Sequence, residues 1–205
     1  MSLRNTKICI VLIILILTIV SCINPIYLKN QYLQHLGTLV LSFILLWDIK
    51  KMKLSLLAYL FVAVFIIVHI IGARWIYSFV PYNEFFDTYL GFDLSQIFDN
   101  ERNHYDRFVH LSFGALFIPY LFEKFKTRFK NHLMALLLAW LTVQTFSMLY
   151  EVFEWLLTVF ADPKIAEDYN GQQGDPFDAQ KDMALALIGS SIACIPYYFK
   201  RIKNN

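Results

Sequence analysis

Six apolar runs divide the chain, at about residues 8–25, 32–48, 54–77, 105–122, 133–160 and 182–199. A helix that crosses a membrane needs roughly 17–25 mainly apolar residues at a rise of about 1.5 Å each. The pattern therefore predicts an all-α integral membrane protein: a six-helix transmembrane bundle forming one polytopic domain over residues 1–205. The second and sixth runs are short, and the fifth is long enough to tilt or protrude. The 81–103 stretch has a different rhythm. Phe85, Tyr89, Phe92 and the group Leu94, Ile97 and Phe98 recur at near-helical spacing, with Glu84, Asp87, Asp93 and Asp99 between them. This predicts an amphipathic segment on the outer surface, or a lid over a site below it.

Composition supports a membrane chain. Hydrophobic residues make up 58%, charged residues 17%, and the mean hydropathy is +0.49. Soluble domains carry about 45–50% apolar and about 25% charged residues. Six spans with their turns use up the whole length, so any chemistry must lie in the membrane or at its faces. Membrane lipids are the expected partners; nucleic acid is not. Cys9, Cys22 and Cys194 form no Cys-x-x-Cys or Cys/His finger spacing, which argues against a disulfide framework or a thiolate zinc site.

Charge sets the orientation. Arg4 and Lys7, then Lys50, Lys51 and Lys53, then Lys124, Lys126, Arg128 and Lys130, and finally Lys200, Arg201 and Lys203 all fall on one side of the predicted bundle. The positive-inside rule makes that side cytoplasmic and places both termini there. Of the 16 acids, only Asp48 and Glu123 lie on the basic side. A bacterial cytoplasmic (inner) membrane is the expected location. The first run also resembles a signal peptide, and Ile19-Val20-Ser21-Cys22 fits a lipoprotein cleavage box. Retaining the run restores an even number of spans and keeps every basic loop inside, so it is read as the first helix.

The candidate chemistry sits where an anchor helix would carry leucine. His69 lies in the third run, and Asp106 and His110 in the fourth at i and i+4. Glu151 and Glu154 lie in the fifth at i and i+3, and Asp175, Asp178 and Asp182 open the sixth. Residues three or four apart share a helix face. With the outer boundary near Tyr77, Asn103, Phe160 and Asp175, the residues His69, His110, Glu154 and Asp182 lie roughly 9–12 Å below it. Two of these helices run outward and two inward, so a common depth predicts a shared polar chamber open to the outer side. Acids at mid-span cost roughly 2.5–3.5 kcal/mol each on insertion scales, so they need compensation. Arg74, Arg107 and Lys181, protonation, water or a metal ion are the candidates.

Imidazole with carboxylate suits zinc, manganese or iron(II). The expected ligands are His69, Asp106, His110, Asp178 and Asp182. Glu151 or Glu154 is the candidate general base, and Arg74, Arg107 and Gln173 the candidate contacts to a substrate head group. The alternative for the same residues is a salt-bridge network that holds the bundle together. Asp175-Pro176 is also a helix-capping signal, with Asp178 three residues on. His35 and His132 read as ordinary structural histidines, and Trp47, Tyr77, Tyr82, Tyr197 and Tyr198 as interfacial anchors.

Three stretches carry a family resemblance: Asn103-His104-Tyr105-Asp106-Arg107-Phe108-Val109-His110, Tyr150-Glu151-Val152-Phe153-Glu154-Trp155, and the run from Gly171-Gln172-Gln173-Gly174-Asp175-Pro176-Phe177-Asp178 to Ala179-Gln180-Lys181-Asp182-Met183. They resemble the signature stretches of the YjdF-type bacterial inner-membrane proteins, from about the second run onward. That family is a domain of unknown function, so the resemblance implies location and topology but no reaction. In the order of its Asp-x-x-x-His, glutamate and Asp-rich helices the chain is more loosely similar to VanZ-like membrane proteins, a group associated with glycopeptide resistance and the cell envelope.

Two functional classes follow. One is a metal-dependent hydrolase or transferase acting on a lipid or lipid-linked envelope substrate. The other is a non-catalytic ion- or lipid-binding protein, or a small transporter, that uses the buried carboxylates. The paired repeats and Gly/Pro-broken helices usual in transporters are not evident in both halves, which favours the enzyme.

Overall fold

A computed structural model describes residues 2–94, 102–160, 169–170 and 173–202. Among them the chain is all-helical, with no strand. The helices are α1 (Leu3–Ser21), α2 (Leu28–Lys51), α3 (Leu56–Arg74), α4 (Tyr82–Leu90), α5 (Tyr105–Lys126), α6 (His132–Phe160) and α7 (Asp178–Ile202). Five of them, α1, α2, α3, α6 and α7, are long and apolar enough to cross a membrane. Helix α5, with 22 residues, has the length but less apolar character. Asp106, Arg107 and His110 lower its hydropathy, and Asp106 and His110 are buried against neighbouring helices rather than set toward lipid.

Local signals explain the helix starts. Ser2 and Ser55 accept the N–H of the residue three along, Asn5 at 3.2 Å and Ala58 at 3.1 Å, as N-caps. Asn103 does a similar service for Tyr105 at 3.1 Å. Helix α2 is longer than its apolar run at both ends, from Leu28 to Lys51, because amides at its start and lysines at its end extend the helix without apolar residues.

Helix α5 is central. It packs on α3, α6 and α7, while α1 and α2 pack on α3 from the other side. Tyr59, Val62 and Ile66 of α3, Ile118 of α5 and Val143 of α6 are fully buried in the core. The α5–α7 crossing is closest. A methyl group on Gly114 would strike the carbonyl of Ala186, and one on Gly189 would strike the carbonyl of Leu111. Small residues allow backbones to approach in this way inside a membrane. Asp106, His110 and Gly114 recur every fourth residue along α5, as do Asp178, Asp182 and Ala186 along α7. The face that brings the two backbones together thus carries the polar residues one and two turns farther along.

Helix α1 is held at both ends by polar contacts. Lys7 is fully buried; its Nζ lies 2.7 Å from Asp48 Oδ2 and donates to the Leu54 carbonyl at 2.7 Å. Asp48 Oδ1 accepts the N–H groups of Lys53 and Leu54 at 3.0 Å each. At the other end the Ser21 hydroxyl meets His35 Nε2 at 3.0 Å, and the Gln31 side chain donates to the Ser21 carbonyl at 2.6 Å. His35 thus has the structural role expected of it. His132 also serves structure, with Nε2 donating to the Tyr197 carbonyl at 3.0 Å.

Within 81–103 the described residues form one short helix, α4, which buries none of its residues and exposes Phe85, Tyr89 and Leu90. Ile97, Phe98 and Asp99 lie outside the described residues. Trp47 and Tyr198 are exposed at helix ends, as anchors should be, but Tyr77 is not an anchor: it is buried, 5% exposed. The chain reverses after α3 with Ile76 at φ +44° and Tyr77 at φ +58°, which folds the tyrosine ring back onto Gly72. A β-branched residue in the left-handed region is uncommon and is tolerated only where the surroundings enforce it.

Candidate functional site

Three helices supply the centre of the site. Asp106 and His110 come from α5, Glu151 and Glu154 from α6, and Asp182 from α7, all buried. Asp106, His110 and Asp182 each present one ligating atom, and the three atoms lie within 4.8 Å of one another. His110 sits between two acids. Its Nε2 is 3.7 Å from Asp106 Oδ1, and its Nδ1 is 3.6 Å from Glu151 Oε1. Both separations exceed a hydrogen bond. Glu151 Oε1 and Asp182 Oδ1 are buried without a hydrogen-bond partner. Buried polar atoms are nearly always satisfied, so two unpartnered carboxylate oxygens near one imidazole set this cluster apart from the rest of the helix packing. Glu154 lies within electrostatic reach of Asp106, Glu151 and Asp182, and its carbonyl accepts the Asn170 side chain at 3.1 Å.

His69 is not gathered into this group. Its Nε2 donates to the Gln34 carbonyl at 3.0 Å, and its Nδ1 accepts the Tyr77 hydroxyl at 2.5 Å. Both ring nitrogens are therefore engaged, which corrects the expectation of His69 as a ligand. A neighbouring tyrosine and a carbonyl on another helix decide this, and neither is visible from spacing along α3. Tyr77 packs on Tyr105 with ring centroids 6.3 Å apart, and so carries the contact from His69 toward Asp106.

Asp178 also stands apart from the three ligating atoms. It pairs with Arg102 and lies 3.8 Å from Arg107 NH2. Arg107 is committed to Asp175, with NH2 2.5 Å from Oδ2, and Lys181 Nζ reaches the same oxygen at 2.6 Å. The other oxygen of Asp175 accepts the Phe177 N–H at 3.0 Å. Hydrogen bonds from Lys181 and from that N–H, with the charges of Lys181 and Arg107 behind them, hold the Asp175 carboxyl down at about 2. Asp175 thus joins two roles in the turn before α7: one carboxylate oxygen accepts the i+2 N–H as a capping residue does, and the other is an ion-pair hub.

The Gln173 amide is spent on structure. It accepts the Asn103 N–H at 2.8 Å and donates to the Asn103 carbonyl at 3.0 Å, tying the turn before α7 to the start of α5. Arg74 ends α3 with its guanidinium 5.5 Å from the Trp75 ring, and its NH1 is buried without a hydrogen-bond partner. Arg102 has no signal in the sequence beyond directly preceding the Asn103–His110 stretch. Tyr77 carries no signal of its buried role either, because a tyrosine at a span end usually marks the interface.

A family model described as "Predicted membrane protein (DUF2238)" matches residues 6–203. The chain belongs to this family. It is also 27% identical to the inner membrane protein YjdF of Escherichia coli (strain K12) over 150 residues, which cover 72% of this chain and 67% of that relative. No solved structure matches. With its apolar helices the chain is accordingly a multi-pass protein of the bacterial inner membrane.

Proposed function

We propose that this protein is a metal-dependent hydrolase or transferase that acts on a lipid or lipid-linked envelope substrate at the outer leaflet. It is built as a six-span bundle with both termini in the cytoplasm. The observation that carries the reading is the buried meeting of Asp106, His110 and Asp182 from two tightly packed helices, with Glu151 on the far side of the imidazole. Zinc, manganese or iron(II) suits one imidazole and two carboxylates. A shell at about 2.1 Å spaces neighbouring ligand atoms by about 3–3.4 Å, so the three side chains would draw in slightly around an ion. When bound, such an ion supplies Lewis acidity and an activated water.

The chain's own groups fit around it. Glu151, with one oxygen unpartnered and 3.6 Å from His110, is the first choice of general base, and Glu154 the second. Arg74, whose NH1 is buried without a hydrogen-bond partner, is a candidate contact to the substrate head group. The orientation rests on Lys50, Lys51, Lys53 and the Lys124–Lys130 run, which lie at the opposite end of the helices from the acids.

The test is elemental analysis of the full-length protein purified in detergent without chelator, for wild type, His110→Ala and Asp182→Asn. Stoichiometric transition metal in wild type, lost in both variants, is the expected result. A wild-type protein without such metal overturns the reading.

A further inference from the structure

Three cations converge on one oxygen at the outer edge of the site. Arg107 NH2 lies 2.5 Å, Lys181 Nζ 2.6 Å and Arg102 NH1 3.9 Å from Asp175 Oδ2. They come from α5, from the start of α7 and from the residues leading into α5, and the turn before α7 delivers the carboxylate between them. Arg102 and Arg107 are 10% and 20% exposed, so they are largely withdrawn from water. Asp178 offers a second negative charge to the two guanidiniums, and Asp106 lies within electrostatic reach of both.

We propose that Arg102, Arg107 and Lys181 form a receptor for a phosphate group, and that Asp175 is a tethered anion which phosphate displaces. Paired guanidiniums with an ammonium match the charge and the several oxygens of a phosphate better than a lone carboxylate oxygen does. Asp175 lies in a turn rather than in a helix, so its carboxylate can leave without unwinding α7. Arg107 adjoins Asp106, and Asp178 is one turn from Asp182, so a phosphate held here borders the proposed metal ligands. The identity of the molecule as a phosphate-bearing substrate rests on the proposed function; the receptor itself does not. Asp106, Asp178 and Asp182 oppose any anion at this place, and a cation among them strengthens its binding.

The ligand chemistry is shared by a free phosphate and a lipid phosphate monoester. The experiment is calorimetric titration of the full-length protein with inorganic phosphate, in EDTA and again with Mn2+. It is repeated as thermal denaturation in nanodiscs containing phosphatidic acid against nanodiscs of phosphatidylcholine. The variants are Asp175→Asn, Arg107→Gln and Arg102→Gln, each checked for a wild-type melting profile in detergent, with Arg107→Lys as the milder substitute. Removing a competing tethered charge raises the apparent affinity, so Asp175→Asn is expected to bind phosphate at least roughly tenfold more tightly than wild type. The arginine variants are expected to lose binding.

Response to inorganic phosphate identifies a free anion. Response only to phosphatidic acid identifies a lipid head group. Absence of both in wild type and in Asp175→Asn, or binding unaffected by the arginine variants, overturns the proposal. Phosphate binding in EDTA by a protein that carries no metal leaves this receptor standing while the metal reading falls.

Discussion

Gly114 and Gly189 press against each other's helices: a side chain on Gly114 would meet the Ala186 carbonyl, and one on Gly189 the Leu111 carbonyl. The contact is reciprocal, so neither backbone can yield without moving the other. One turn away on α5 is His110, and about two turns away on α7 is Asp182. The approach of two glycines thus sets the distance between an imidazole and a carboxylate. Gly114→Ala and Gly189→Ala are expected to destabilise the bundle by about 1–3 kcal/mol through overpacking and to weaken any ion held by Asp106, His110 and Asp182. Thermal melting in detergent and metal content measure the two effects, and an unchanged melting point would refute the close crossing.

Lys7 and Asp48 form a buried ion pair with no exposure at the lysine. Removing one partner of such a pair typically costs roughly 3–5 kcal/mol, because the other charge stays buried alone. Lys7→Met is expected to lower the melting temperature more than any substitution at the exposed Lys50 or Lys51, and Lys7→Met with Asp48→Leu is expected to recover part of the loss. A melting curve for Lys7→Met that overlays wild type counts against the pair.

Asp175 gives a pH signature. Its folded value, about 2, is below the ordinary 3.8. A carboxyl depressed in this way adds stability that is complete above about 3.8 and is lost as pH falls through about 2. Melting temperature followed from pH 5 to pH 2 should therefore fall more steeply in wild type than in Asp175→Asn. Parallel curves would show that the three cations contribute nothing to stability through this group.

His69 and His110 should separate by experiment. His69→Phe strands the Tyr77 hydroxyl and the Gln34 carbonyl, and is expected to cost about 1–3 kcal/mol of stability. Metal content should be unchanged, since His69 lies outside the ligating group. His110→Ala should do the reverse: it leaves the Tyr77 and Gln34 contacts in place and removes any ion held with Asp106 and Asp182. Loss of metal from a folded His69→Phe protein would restore His69 as a ligand.

The helices were legible because lipid demands it: a span must be a long apolar run, and the runs at 54–77 and 133–160 coincide closely with α3 and α6, while α1 starts five residues before the 8–25 run and ends four before its close. Asp106, His110 and Asp182 were legible because acids and histidines in such runs need a reason. The partners of those residues were hidden. Arg107 reads as a cation free for phosphate until Asp175, 68 residues later, is found against it. Gln173 reads as a head-group contact until both ends of its amide are found on Asn103. His69 has the right depth, but its direction is set by Gln34 on α2 and by the strained turn at Ile76 and Tyr77. Depth follows from counting residues, whereas azimuth and pairing depend on helix packing.

The polar fastenings of α1 have a mechanical consequence. Lys7 is bound at one end and Ser21 at the other, a span of about 21 Å along the helix axis. Between them most of α1 faces lipid with aliphatic side chains. Apolar packing in a bilayer discriminates weakly between neighbouring registers, so two fixed points decide where the helix sits. A helix pinned in this way cannot slide or re-tilt to suit a thinner or thicker membrane. A thinner or thicker membrane is then met by tilt of the bundle as a whole or by the surrounding lipid, and not by α1 alone.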